Sequence, residues 1–363
     1  MSKAAELAAL IGSQTALSNR NLIINGAMQV AQRGTSSTST GYQTTDRFTF
    51  SLNNFDNAEF TQAQSTTAPA GFSNSWRIDC TTAETALAAD EYSNFAHIIE
   101  AQDLQKLQNG SSGAKSLTLS FYVKSNKTGT YSIALYKPDN TARQITATYA
   151  ISAADTWEYK TITFAGDTAG GGITDDNGAG LYIYWHLAAG TNFTSSDSTS
   201  WSDYANAGFA YGHAVNIFDS TSNDWAITGI QLEVGDVATA FEHRSYGDEL
   251  LKCYRYCYVW NAVQGFDVFT DLNVWTSSAL LGQYVLPVQM NHDPAIEFRA
   301  VDDFVFSANN ADRNITALVL NRATPREVQV FATDTDHGFS SGVGGFLRDD
   351  GNSNATVTLE AEL

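Results

Sequence analysis

The chain has 363 residues, 39 acidic against 20 basic, and a formal net charge of −19. Phosphate binding needs clustered Lys and Arg, so no nucleic-acid partner is expected, and an anionic lipid surface is disfavoured by the same sign. No apolar run approaches the ~18 residues of a membrane span, so no membrane insertion is expected.

The length suggests two domains with ample material for buried cores. Thr, Ser, Gly, Asn, Tyr and Phe are abundant and Pro occurs only five times, a mix that favours short strands joined by polar turns. No basic segment followed by a long apolar run opens the chain, so no secretory signal is expected. Three cysteines make no disulfide framework: Cys80 stands alone, and Cys253 and Cys257 are four apart. Reduced, structural thiols are expected.

In chain order, residues 1–20 are expected as an N-terminal helix that serves for attachment or packs against its own copies in an oligomer. Ser2 can cap it, alanines favour it, and Leu7, Leu10, Ile11 and Leu17 lie on one side. Residues 21–244 read as a β-sandwich. Leu22–Ile24, Met28–Val30, Phe48–Phe50 and Trp76–Ile78 are predicted strands, with a Ser/Thr loop at Gly34–Gly41. Leu117, Leu119, Phe121 and Val123 alternate with polar residues, and Tyr131–Tyr136 returns after the Lys127-Thr128-Gly129 turn. Trp157 and Tyr159 alternate with Glu158 and Lys160. Leu181, Ile183, Trp185 and Leu187 form one face of the next strand; Tyr182, Tyr184 and His186 form the other. Two long polar loops, Ala165–Gly180 and Ala189–Ala207, stand where recognition tends to sit.

Residues 245–253 are a helical junction: Ser245-Tyr246-Gly247-Asp248 reads as a capping box, with Leu250-Leu251 supplying a buried side. Residues 254–363 form a smaller C-terminal β-domain. Tyr254, Tyr256, Tyr258 and Trp260 are predicted to share one strand face, a row that self-association would cover. Further strands follow at Leu280–Val288, Ala295–Phe298, Phe304–Phe306, Ile315–Leu320, Glu327–Thr333, Gly345–Arg348 and Ala355–Ala361.

Three stretches resemble phage tail-fibre proteins that carry a carbohydrate-binding-module-like sandwich. They are NLIINGAMQVAQRGTS at Asn21–Ser36 with Thr45-Asp46-Arg47-Phe48, the segment His97–Tyr136, and GIQLEVGDVATAFEHRSYGDELLKCYRYCY at Gly229–Tyr258. The resemblance spans Asn21 to about Trp260. It implies an all-β fold, a jelly-roll-like sandwich with a smaller C-terminal β-domain. It also implies a homotrimer, held through the C-terminal domain and Tyr254, Tyr256, Tyr258 and Trp260, located in the virion after assembly in the host cytoplasm. The N-terminal region would meet other virion structural proteins, and the sandwich would bind a bacterial surface polysaccharide.

For catalysis there is neither G-x-S-x-G nor H-E-x-x-H, and Glu242-His243 are strand neighbours pointing to opposite faces. Acidic pairs such as Asp175-Asp176 and Asp349-Asp350 lie in Gly-containing turns. No enzyme is expected. Asp334-x-Asp336-x-Gly338 and Asp175-Asp176-Asn177-Gly178 lack the spacing and terminal Glu of an EF-hand. No cofactor is expected, although sandwiches of the resembled kind often hold a structural calcium, so the resemblance allows one ion.

Sugar binding uses aromatic faces on a sheet, with amides and carboxylates to hold hydroxyls. Strand parity nominates Tyr122, Tyr136, Trp157, Tyr159, Tyr182, Tyr184 and His186, with Trp201 and Tyr204 from the second long loop. Outward Tyr is also ordinary on sheets and at subunit interfaces. The leading expectation is a non-catalytic receptor-binding fibre protein. A purely structural virion component (connector, shaft or head decoration) is the alternative. The third reading, a glycan-degrading tailspike, would need two carboxyls about 5–5.5 or 6.5–9.5 Å apart in one cleft.

Overall fold

A computed structural model describes residues 20–333, 338–351 and 355–363. The expected N-terminal helix lies outside the described residues but for its last position, and so do Asp334 and Asp336. The fold is all-β, and the chain divides into two compact units between Glu249 and Leu250.

The described residues of the N-terminal unit contain twelve strands, β1 (Ser36–Ser37), β2 (Phe48–Asn53), β3 (Glu59–Ser65), β4 (Ser75–Thr82), β5 (Tyr92–Glu100), β6 (Leu117–Ser125), β7 (Gly129–Lys137), β8 (Arg143–Ile151), β9 (Glu158–Phe164), β10 (Ala179–Ala189), β11 (Ser202–Asp203) and β12 (Asp224–Val234). They pair antiparallel in two six-stranded sheets, β1-β3-β4-β12-β6-β9 and β11-β8-β7-β10-β5-β2. The inner faces meet through large aromatics. Phe95 of one sheet sits 4.3 Å from Trp76 and 6.0 Å from Trp225 of the other, centroid to centroid. All three are essentially inaccessible to water. Burying a side chain such as Phe95 contributes roughly 1.5–3 kcal/mol, so this cluster is a main source of the unit's stability.

The predicted strands at Leu22–Ile24 and Met28–Val30 are instead irregular backbone. The reason lies in Asn21 and Asn25. Asn21 Oδ1 accepts from Leu232 N and its Nδ2 donates to the Ile230 carbonyl, each within 3.1 Å, so a side chain occupies a ladder partner's place on β12. Asn25 adopts a positive φ of 61° and bonds Val30 N, the Val30 carbonyl and the Asp46 carbonyl. Arg47, buried beneath the sheet edge, donates to the Ile98 carbonyl at 2.7 Å. The first of the stretches that carried the resemblance is thus scaffolding.

Among the described residues two short α-helices occur: α1 (Thr191–Thr194) and α2 (Tyr246–Tyr254). The α2 cap forms as expected, with Ser245 Oγ accepting from Asp248 N at 3.1 Å and donating to the Asp248 carboxylate at 2.6 Å.

The C-terminal unit holds β13 (Cys257–Asn261), β14 (Val268–Thr276), β15 (Ala279–Val285), β16 (Ala295–Phe298), β17 (Phe304–Ala308), β18 (Ala311–Asn314), β19 (Ala317–Thr324), β20 (Glu327–Thr333), β21 (Gly344–Asp349) and β22 (Thr356–Glu360). They build a seven-stranded sheet, β18-β17-β21-β14-β15-β20-β19, and a three-stranded one, β13-β22-β16. Phe269, Leu272, Phe304, Phe306 and Val357 are among the residues that fill its core.

The expected row Tyr254, Tyr256, Tyr258 and Trp260 does not form. Helix α2 runs through Tyr254, Tyr256 is buried in the turn after it, and only Tyr258 and Trp260 reach β13. Both are half-buried within their own unit: the Tyr258 and Tyr284 hydroxyls bond at 2.6 Å, and Trp260 packs on Phe269. The helix persists past the predicted change of period because its hydrogen bonds outlast the sequence pattern that suggested a strand. All three cysteines are buried thiols.

Candidate functional site

The site grows from the parity of β10. Leu181, Ile183, Trp185 and Leu187 are fully buried between the sheets, so Tyr182, Tyr184 and His186 emerge on the outer face. Across the ladder, Tyr182 faces Tyr136 of β7, while Tyr184 is flanked by Ala134 and Ala96. Small neighbours leave the Tyr184 ring room to lie along the sheet. Tyr136 meets Tyr182 at 5.6 Å and Tyr204 at 5.0 Å.

The long polar loop after β10 folds across this same face. Phe193, Phe209 and Ala210 pack onto Ala134, with Tyr92 and Tyr184 against them, as a small separate apolar cluster. Polar bonds hold the loop down: Thr146 Oγ1 to Ser198 Oγ at 2.5 Å, Gln144 Nε2 to the Ala205 carbonyl at 3.0 Å, and Arg143 Nη1 to Asp203 at 2.9 Å. What remains open is a cleft of about 270 Å³ lined by Ser51, Asn53, Tyr92, Asn94, Tyr136, Tyr184, Tyr204 and Phe209.

This lining has four phenols, two amides, a serine and a phenyl ring. Burial pushes the Tyr92, Tyr184 and Tyr204 hydroxyls up, so they stay neutral. Among the described residues, the Asn53 and Asn94 amides make no side-chain hydrogen bond, and no carboxylate, His or Cys lines the cleft. Aromatic faces with uncommitted amides can hold a polyhydroxylated ring.

The nine sequence-nominated residues separate. Tyr136, Tyr182, Tyr184 and Tyr204 stand together on the outer face. His186 has the expected parity, but the loop buries it completely beneath Phe209, at 4.7 Å, and beside His213. Burial first, then the neighbouring ring, pushes His186 down to about 3. His213 falls to about 4 by burial. Its Nδ1 accepts from Ser132 N and its Nε2 faces the Val215 carbonyl at 2.7 Å, which sets the neutral Nε2–H tautomer.

Trp201 is not in the cleft. Its Nε1 donates to the Ala165 carbonyl at 2.6 Å, and its ring lines a different hollow at the β8–β9 edge with Arg143, Ile145 and Phe164. Tyr122 and Tyr159 belong to the other sheet, where they pack on each other, and Trp157, just before β9, lies under Lys124. Parity names a face but not which sheet carries it.

The residues missed from sequence are Ser51, Asn53, Tyr92, Asn94 and Phe209. Strand β5 is covered on both faces, so its burial shows no alternation to read. Phe209 alone carried a signal, as an apolar residue in Ala-Gly-Phe-Ala within a polar loop. Among the described residues, no group of three or more His, Cys, Asp or Glu side chains is placed to hold a metal ion. At Asp175–Gly178, Asp176 Oδ1 accepts from Gly178 N at 2.8 Å, an Asx turn.

No protein-family profile matches the chain. No curated protein matches it either. Solved structures resemble it at low identity. The enzymatically active domain of bacteriophage CBA120 tailspike protein 4 is 13% identical with a TM-score of 0.32, over 59% of this chain and 21% of that one. The family 11 carbohydrate-binding module from Clostridium thermocellum, in complex with a β-1,3-1,4-mixed-linked tetrasaccharide, is 12% identical with a TM-score of 0.30, over 56% and 98%. The C-terminal family 22 carbohydrate-binding module of Clostridium thermocellum Xyn10B is 11% identical with a TM-score of 0.31, over 61% and 99%.

Proposed function

We propose that this chain is a non-catalytic receptor-binding protein of a phage fibre, recognising a bacterial surface glycan through the aromatic cleft of its N-terminal sandwich. The observation that carries the reading is the lining of that cleft: Tyr92, Tyr136, Tyr184, Tyr204 and Phe209 around the uncommitted amides of Asn53 and Asn94. A sugar ring lays its C–H face on such rings, and its hydroxyls pair with phenols and amides. The fibre context is supported by the sequence stretches at Asn21–Ser36, His97–Tyr136 and Gly229–Tyr258. With that context come a homotrimer, attachment to other virion proteins through the N-terminal region, and residence in the virion.

The test is adsorption of the purified protein to host and non-host cells, with purified surface polysaccharide as competitor. Host-selective adsorption that the polysaccharide abolishes, and that falls in Tyr136→Ala and Tyr204→Ala, is the expected result. A folded protein that adsorbs to neither cell type is a structural virion component instead. Light scattering on the full chain reads the trimer directly: a mass of one chain removes that part of the proposal.

A further inference from the structure

The C-terminal unit contains a hollow of its own, built on the outer face of the seven-stranded sheet. Leu272 of β14, Phe306 of β17 and Leu347 of β21 are fully buried on the inner side. The alternate residues therefore face out: Asp271 and Asn273 of β14, Ser307 of β17, Gly344 and Phe346 of β21. The registers bring them together, Phe346 opposite both Ser307 and Asp271, and Gly344 opposite Asn273. With Asn309 they line a cavity of about 360 Å³, inside the roughly 300–1,000 Å³ range of small-ligand pockets.

Its two glycines differ in kind. Gly345 is required by packing, since a Cβ there would fall 2.4 Å from the Ser307 carbonyl oxygen. Gly344 is not: a Cβ would meet only Asn273 Oδ1, at 3.4 Å, and its φ lies outside the left-handed region. Glycine in a strand weakens it relative to a side-chain-bearing residue and often marks close approach of a ligand. Here it keeps the floor open between Asn273 and Phe346. Phe346 is 49% exposed. Among the described residues, the Asp271 carboxylate and the Asn273 amide make no side-chain hydrogen bond.

We propose that this hollow is a second carbohydrate subsite, one that takes a single neutral pyranose ring with a free vicinal diol. The ring's C–H face lies on Phe346, adjacent hydroxyls donate to the two Asp271 oxygens, and the Asn273 amide completes the hydrogen bonds over the backbone that Gly344 leaves bare. The Asp271 carboxylate, on a chain of net charge −19, selects against uronates and phosphorylated sugars. The subsite stands on its own residues and does not depend on the cleft of the N-terminal unit.

The experiment is saturation-transfer NMR and calorimetry on the full chain with methyl glycosides of glucose, galactose, mannose, N-acetylglucosamine and rhamnose. At least one is expected to bind, with the transfer strongest on one C–H face. Gly344→Thr, Phe346→Ala and Asp271→Asn should each weaken it about tenfold or more, while Tyr159→Ala, outside both sites, leaves it unchanged. Threonine suits a strand, so Gly344→Thr should keep its unfolding midpoint; if it does not, Asp271→Asn, which preserves shape, carries the comparison. Binding by none of the five, or binding within twofold of the parent in Phe346→Ala and Asp271→Asn, overturns the proposal. Loss in Tyr204→Ala alone places the sugar in the N-terminal cleft and overturns it too, while leaving the proposed function standing.

Discussion

Tyr182 and Tyr184 stand two residues apart on β10 with ring centroids 5.6 Å apart and planes only 10° from parallel. Side chains two apart on a strand share a face, and here the two rings lie as a stacked pair. Tyr136 extends the pair at one end and Phe209 closes it at the other, each by tilted or edge contact. A continuous aromatic surface results, with its phenol groups at the edge of the cleft.

Truncating the more accessible rings should remove affinity without emptying the core. Tyr204, 38% exposed, and the half-buried Tyr136 are the positions to test. Tyr136→Ala and Tyr204→Ala are each expected to lose about 1–2 kcal/mol, roughly tenfold in affinity for host polysaccharide. Trp201→Ala and Tyr159→Ala, which lie elsewhere, should bind within twofold of the parent. A titration showing the reverse order would move the site to the sandwich edge.

Asp167 is the position where charge governs stability. It lies between Lys137 Nζ at 3.4 Å and Arg143 Nε at 2.9 Å, with the Lys137 and Asp167 side chains fully buried. Asp167→Asn leaves the buried Lys137 ammonium without a counter-charge and should cost about 3–5 kcal/mol. Asp203 pairs with the same arginine but is 76% exposed, so Asp203→Asn should cost about 1 kcal/mol or less. Denaturant midpoints for the two variants decide whether burial makes this difference.

His186 and His213 make the fold acid-sensitive. Both are held neutral in the folded state, with values near 3 and 4, while in the unfolded chain they titrate near the usual 6.5. Below that pH the unfolded state takes up protons that the folded state refuses, so stability falls as pH drops from about 6.5 towards 4. His213→Asn should flatten the slope in this window. A melting temperature as pH-dependent in the variant as in the parent would remove His213 from the account.

Gly26 should not accept a side chain. A Cβ there would fall 2.1 Å from the Ile230 carbonyl oxygen, and Ile230 N already donates to the Gly26 carbonyl at 2.9 Å. Gly26→Ala must lift the Asn21–Val30 segment from β12 and is expected to cost about 1–3 kcal/mol. Protection of the Ile230 amide against hydrogen exchange should fall with it. Full protection in a folded variant would count against the contact.

The strand faces of the sandwich were legible in the sequence where one side of a strand is core and the other is not. Leu117 to Val123 and Leu181 to Leu187 alternate because burial selects every second residue. The Ser245–Asp248 cap was legible because capping is local, and the predicted strand at Ala355–Ala361 forms as β22, between β13 and β16. The segment Leu22–Ile24 was misread as a strand because a local pattern cannot show Asn21 bonding to a strand some two hundred residues away.

What covers each face was decided only by the tertiary structure. The sequence by itself determined that Tyr182, Tyr184 and His186 point the same way, because that follows from backbone geometry. Folding of the loop bearing Phe193 and Phe209 across them then buried His186, kept Tyr184 at a cleft wall, and carried Trp201 to the sandwich edge. Tyr92 and Asn94 joined the site by antiparallel pairing of β5 with β10, a contact between residues about ninety positions apart. Periodicity reports which side a residue takes on its own element. The element that packs against that side is chosen by the burial and hydrogen bonding of distant segments, which no local pattern records.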